Sequence, residues 1–330
     1  MRRFFVIFLV FVAASGLPVK EFVHSVRIIE LSALPDPFQS LKSANTTNLI
    51  FGGIRARSGQ FPMQAFIWFT MTDGQEFQCG GSLISATHVL TAAHCTFDLI
   101  SGSVMVGSLS LDVDSSPHEQ RRNISRVFTH TGFDISKFSD DIGVIEVSPP
   151  FELNDFVKAA TIVSDDYALF QEPTAVVSGF GSTKLKTRWV FTAMIFYSPK
   201  STFSPSASAS ESTFIALSAE ESLKFSKTRN GTLVETQFCA GAAGRGVAFG
   251  DSGGPIQVRY NDQLVQIGVT SFGDEDEAEH NQDTMPSVFT RISKYCDFVD
   301  EATAGFVKCG SVPTRTVAST IASEEQLSTF

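Results

Sequence analysis

From Ile50 onward the apolar residues come in short runs, broken every few positions by Gly, Pro, Ser or Asp. Gln64–Thr70, Gly81–Ser85, His88–Thr91 and Val104–Gly107 are strand-like by this pattern. So are Ile142–Val147, Thr174–Ser178, Val265–Thr270 and Ser287–Thr290. Many short β segments separated by turn signals predict an all-β sandwich or barrel. Helical patterning is sparse, and its best segment runs from about Ser293 to Ala304. No internal repeat of helical or solenoid type is visible.

Before Ile50 the texture is different. Met1-Arg2-Arg3 is a short basic start, Phe4 to Ala14 is almost purely apolar, and Ala14-Ser15-Gly16 offers small residues for cleavage. That order reads as a secretory signal peptide over residues 1–16, too short in its apolar run to span a bilayer comfortably. Residues 17–49, with Pro35, Pro37 and a polar run from Ser43 to Asn48, read as a pro-segment or linker. Residues 50–304 form the domain, and 305–330 are expected to be a disordered tail. Ser198–Thr213 is rich in Ser, Ala and Pro and reads as a mobile loop.

Composition narrows the classes. A chain of 330 residues with 43% hydrophobic content can bury a sizeable core, and a formal charge of −10 argues against a nucleic-acid partner. No second apolar segment suggests a membrane, so the expected location is secreted and extracellular. Sequons at Asn45, Asn123 and Asn230 are compatible with export. Five cysteines suit an oxidising compartment, and the odd number leaves at least one outside any internal pairing. None forms a close Cys/His cluster with zinc-ligand spacing, so no metal is expected.

Three islands carry the chemistry. Leu90-Thr-Ala-Ala-His94-Cys95 follows Cys79-Gly-Gly-Ser82; Asp140-Asp141-Ile-Gly-Val144 comes second; Gly250-Asp-Ser252-Gly-Gly-Pro255 comes third. Alone, each has an ordinary reading: a structural histidine, an exposed Asp-Ile pair, a tight glycine turn. The third is the least ordinary, because glycines flanking a serine free the backbone to approach a substrate carbonyl.

Taken in this order the islands resemble the chymotrypsin-like serine proteases, from about Ile50 to Ala304. Ser178-Gly-Phe-Gly181, Phe238-Cys-Ala-Gly241, Ser271-Phe-Gly273 and Pro286-Ser-Val-Phe-Thr-Arg291 support the resemblance. It implies two six-stranded antiparallel Greek-key β-barrels, with the active site between them and a short C-terminal helix. It implies His94 as general base, Asp141 as the group that orients it and Ser252 as nucleophile, the template on which such enzymes are understood. The backbone N–H groups of Gly250 and Ser252 would form the oxyanion hole. Asp140 is the rival for the acidic role, its ordinary reading being a solvated neighbour. Ile50 resembles the N-terminus that cleavage creates, and Asp251 the buried partner of its ammonium. Cys79 and Cys95 match the pair that staples the histidine loop. The activity implied is hydrolysis of proteins or peptides without a cofactor, with an activating protease and macromolecular inhibitors as possible partners.

Some positions depart from the family pattern. Leu49 stands where most relatives carry Arg or Lys, so a chymotrypsin-like activator or self-cleavage is expected. Ala248 replaces the cysteine that usually borders the specificity pocket, and Cys239 lacks its usual partner. Cys296 and Cys309 flank the helical segment and are one pairing option. Alignment on the nucleophile puts Gly246 at the pocket base, Gly273 and Ser287 on its walls, and Phe249, Ser271 and Phe272 along the cleft. With no acid at the base, large apolar side chains are the expected substrates. The acidic run Asp274–Glu277 reads as a solvated turn or as an attractor of basic residues. The alternative function is a catalytically silent or weak homologue acting as a binding protein.

Overall fold

The computed structural model describes residues 25–31, 53–111, 116–172, 174–181, 210–216, 233–242, 246–248, 250–273 and 286–314. The signal segment 1–16, most of 17–49, Asn45, Ile50, residues 198–209, Asn230, Phe249 and the run 274–277 lie outside these residues. Strands run in the order β1 (Val26–Glu30), β2 (Ile54–Arg55), β3 (Gln64–Met71), β4 (Glu76–Leu83) and β5 (His88–Thr91). They continue as β6 (Leu99–Val106), β7 (Gln120–His130), β8 (Gly143–Ser148), β9 (Thr161–Ile162) and β10 (Ala175–Gly179). The last five are β11 (Ser210–Ala216), β12 (Gln237–Gly241), β13 (Pro255–Tyr260), β14 (Gln263–Phe272) and β15 (Ser287–Arg291). A 3₁₀ turn, Ile292–Tyr295, then leads into α1 (Cys296–Ala302), the α-helix found among the described residues.

Two sheets organise these strands. In the first, β7, β6, β3, β4, β5 and β8 follow one another, and β8 pairs back onto β7 to close a six-stranded barrel. In the second, the path β10-β13-β14-β15-β12-β11 is joined by a β10–β11 pairing. The expected pair of antiparallel barrels is therefore present, with three additions. Strand β9 runs parallel to β14, β2 pairs antiparallel with β11, and β1 adds a seventh strand to the first sheet.

Side-chain alternation explains how the barrels meet. Along β3, Ala65, Ile67 and Phe69 enter the first barrel's core, while Phe66 and Trp68 join a separate cluster with Met105 and Phe180. Successive strand residues face opposite sides, so a strand buried on both reads as one continuous apolar run. The second barrel is filled by Val177, Ile256, Val258, Val265 and Ile267 around Phe238 and Phe289, whose rings stack at 5.5 Å.

Four readings of the sequence need correction. The segment before Ile50 is not merely a linker, since Val26–Glu30 forms β1 along β7. Ser210–Thr213, assigned to a mobile loop, lies in β11 between β10 and β12. The tail is ordered at its start: Gly310 N–H donates to Ile162 O at 2.9 Å, Asn261 Nδ2 donates to Pro313 O at 3.0 Å, and Val307 is buried. The helix is also shorter than expected, ending before Thr303. Strand β7 escaped the pattern because Gln120-Arg-Arg-Asn123 and Ser125-Arg126 mask its alternation.

A disulfide between Cys296 and Cys309 brackets the helix, and Phe298, Val299 and Ala302 carry it into the first barrel's core. Cys239 is buried on β12 and belongs to neither disulfide. Replacing Cys296 and Cys309 together with Ser is expected to lower the unfolding free energy by about 3 kcal/mol, the loop-closure value for a bridge of this span. Urea titration checks this; an unchanged midpoint would mean the helix is held by packing alone.

Candidate active site

His94 sits on a 3₁₀ turn, Ala93–Cys95, directly after β5. The Cys79–Cys95 disulfide ties this turn to β4, as the resemblance implied. Thr91 Oγ1 donates to Gly80 O at 2.9 Å, and Ala92 and Ala93 are fully buried, so the backbone under the imidazole is fixed.

Asp141 stands just before β8 and is completely buried. Its Oδ1 accepts the His94 backbone N–H at 2.9 Å, and its Oδ2 lies 2.9 Å from His94 Nδ1. The same Oδ2 accepts Ser271 Oγ–H at 2.5 Å, and Thr290 Oγ1 donates to the Asp141 carbonyl at 2.8 Å. A buried carboxylate needs such donors, because an unpaired charge in the interior is costly. With its proton on Nδ1, the ring leaves Nε2 as the acceptor.

Ser252 lies in the turn before β13. Its carbonyl accepts Gly80 N–H at 2.7 Å, and Gly253 N–H donates to Thr270 O at 2.8 Å. Gly253 has φ +77°, and a Cβ there would come within 2.6 Å of Gly80 O and 3.1 Å of Ala92 N. Glycine at this position therefore lets the serine turn lie directly on the strand end that carries His94. The hydrogen bonds of His94 run to Asp141 and those of Ser252 run through its main chain; a hydroxyl–imidazole bond is not among them. Gly250 is buried with φ +94°, and the Gln78 amide fills the place of its missing side chain.

Asp251 is a second fully buried carboxylate, with a different environment. It accepts Gly181 N–H at 2.8 Å and Ala248 N–H at 2.9 Å. Burial pushes its pKa up to about 7, against the opposing pull of those two donors, and among the described residues no cationic side chain acts on it. A Cβ at Gly179 or Gly181 would fall on this carboxylate, which explains the glycines in Ser178-Gly-Phe-Gly181.

An aromatic wall rises beside the imidazole. Phe138 packs edge-on against His94 at 5.6 Å and lies 5.3 Å from Phe272 and 6.4 Å from Phe133. Gln237 Nε2 donates to Phe138 O at 2.8 Å, anchoring a residue whose φ is +51°. Sequence reasoning missed Phe138; its proximity to the acidic island was the only signal. Asp140 is not a solvated neighbour, since its Oδ1 accepts Tyr295 Oη–H at 2.8 Å. Ser271, expected along the cleft, is 3% exposed and gives its hydroxyl to Asp141. A Cβ at Gly273 would lie 3.2 Å from Ser287 Oγ, which places those two expected wall residues side by side. Gly246 is buried, and Asn123 is half-buried on β7. The cluster of Cys79, Cys95 and His94 has metal-like spacing, but its two sulfurs are bonded to each other.

A family model described as Trypsin matches residues 50–299. Chymotrypsin-C of Mus musculus is 29% identical over 259 residues, covering 78% of this chain and 90% of that protein. Chymotrypsin-like elastase family member 1 of Rattus norvegicus is 27% identical, covering 78% and 91%. Coagulation factor IX of Cavia porcellus is 26% identical, covering 79% and 84%. A solved structure of HL collagenase superposes with a TM-score of 0.63 at 26% identity, covering 77% of this chain and 99% of that one.

The environment of Asp251 has a measurable consequence. Its carboxyl is protonated in both folded and unfolded chains well below pH 3.8, and between there and about 7 the folded chain holds a proton that the unfolded chain has released. Stability of the uncleaved protein therefore falls as pH rises through that window, by at most about 1.4 kcal/mol per pH unit from this group. Asp251→Asn is expected to flatten that dependence. Urea titrations of both proteins from pH 4 to 8 check it, and parallel profiles would reject the assignment.

Proposed function

The chain belongs to the trypsin family of serine proteases, and from that premise we propose that it is a secreted endopeptidase made as a zymogen. The observation that carries this reading is the pairing of His94 Nδ1 with the buried Asp141 carboxylate, beside the turn that bears Ser252. In the proposed mechanism Nε2 of His94 takes the Ser252 proton as the hydroxyl attacks the scissile carbonyl, and the imidazolium later protonates the leaving amine. Asp141 holds the tautomer and offsets the positive charge. The N–H groups of Gly250 and Ser252 receive the developing oxyanion.

Cleavage before Ile50 supplies the cation that Asp251 lacks. The new α-ammonium enters beside the carboxylate, ionises it and reorganises the Gly250–Ser252 turn. Removing one partner of a buried pair costs about 3–5 kcal/mol, enough to separate an inactive from an active form. Leu49 makes a chymotrypsin-like activator or self-cleavage the better source of that cut. The absence of an acidic side chain at Gly246, the small residues Gly273 and Ser287, and the Phe138–Phe272 wall favour large apolar side chains in the substrate. Asn45, Asn123 and Asn230 are the proposed glycan sites.

Labelling with a fluorophosphonate separates this reading from a silent, binding homologue. Protein cleaved before Ile50 is expected to label at Ser252 at least about 100-fold faster than the uncleaved chain, and Ser252→Ala is expected to label not at all. Cleaved protein that stays unlabelled would overturn the enzyme reading. In the cleaved form Asp251→Asn is expected to lose about 10²–10⁴-fold in kcat/KM while remaining folded, the equivalent of that pair energy. A peptide library is expected to show cleavage after Phe, Tyr or Leu; cleavage after Arg and Lys alone would reject the apolar pocket.

A further inference from the structure

Strand β1 comes from the segment that precedes Ile50, yet it is built into the first barrel. Five residues pair in antiparallel register, from Val26 opposite His130 to Glu30 opposite Arg126. Both ends are closed: Thr131 N–H donates to Ser25 O and Leu31 N–H donates to Ser125 O, each at 2.8 Å. Ile29 and Leu31 pack with Val26 against the barrel core, while Ile28 faces solvent. Ser25 donates from its N–H and its hydroxyl to Glu301 Oε2, at 3.3 and 3.0 Å, which ties the strand to α1. Glu30 opposes Arg126, whose guanidinium is held charged by its bond to Glu146 and by the nearby Glu30 carboxylate.

The edge that β1 covers would otherwise be open. Strand β6 pairs with β7 only over Gln120–Asn123, leaving the other side of Arg126–His130 to β1. An uncovered edge presents a row of unmatched backbone groups. No covalent tie can take over this role, because the first cysteine of the chain is Cys79.

We propose that residues 25–31 are a docking strand that stays seated on β7 after cleavage before Ile50, so that the cleaved protein is two chains held together without a disulfide. This rests on the cleavage reading above, but the seat itself is tested without it. A recognition sequence for a site-specific protease replaces residues 44–48, the full mature protein is cut there, and native size exclusion is followed by mass spectrometry of the peak. The N-terminal fragment is expected to co-elute at equal stoichiometry, and to separate in denaturant. Ile29→Asp with Leu31→Asp is expected to weaken retention at least tenfold in the cut protein. Should that variant not fold, hydrogen exchange on cut wild-type protein decides instead: amides of residues 126–130 are expected to keep the protection they have before the cut. A fragment that elutes alone, or loss of that protection, would overturn the proposal. A natural N-terminus other than Ile50 would count against the cleavage reading and leave the docking result standing.

Discussion

The molecule is organised around one buried carboxylate at the junction of its two barrels. Asp141 comes from the first barrel, but the Ser271 hydroxyl that completes its donors and the Thr290 hydroxyl that binds its carbonyl come from the second. Fully enclosed, that side chain is tolerable only when its oxygens find hydrogen-bond donors. The barrels must therefore dock in one relative position for those oxygens to be satisfied. That same position orients the His94 ring, so stability and proposed catalysis share one set of hydrogen bonds.

Asp251 is a second enclosed carboxyl group, in different surroundings. Two backbone N–H groups face it, and among the described residues no cation does, so enclosure drives its carboxyl toward the protonated form. The contrast between the two aspartates has a simple physical origin. Four donors around Asp141 and its backbone come from the His94 turn and from β14 and β15, whereas Asp251 sits against glycines that leave room without supplying charge. In the proposed activation, a chain terminus fills that electrostatic deficit rather than a side chain.

The ends of the chain stitch the fold together. Helix α1 follows the last strand of the second barrel but buries Phe298 and Val299 in the core of the first, and its disulfide holds the ordered start of the tail against Ile162. Strand β1 then closes the open side of β7 and bonds to Glu301 of that helix. Each terminal element thus covers apolar surface or backbone edge that the central domain would otherwise expose.

How much of this the chain's order of residues discloses depends on the range of the interaction involved. His94, Asp141 and Ser252 are legible only through the family resemblance that their three islands carry together, since each island alone has an ordinary reading. The Cys79–Cys95 bridge is implied by the same resemblance. Other features are set by partners far along the chain. The hydroxyl of Ser271 answers a residue 130 positions away, Phe138 owes its role to packing on an imidazole and on Phe272, and β7 hides its alternation because its polar side chains find partners at the barrel surface. Thus the sequence by itself determined the all-β class and the barrel strands with clean apolar runs, and its family resemblance singled out the candidate catalytic side chains. Only the tertiary structure decided that Val26–Glu30 is a strand, that Cys296 meets Cys309 and that two buried aspartates sit in different surroundings, because burial and pairing energies exist only once distant segments share a surface.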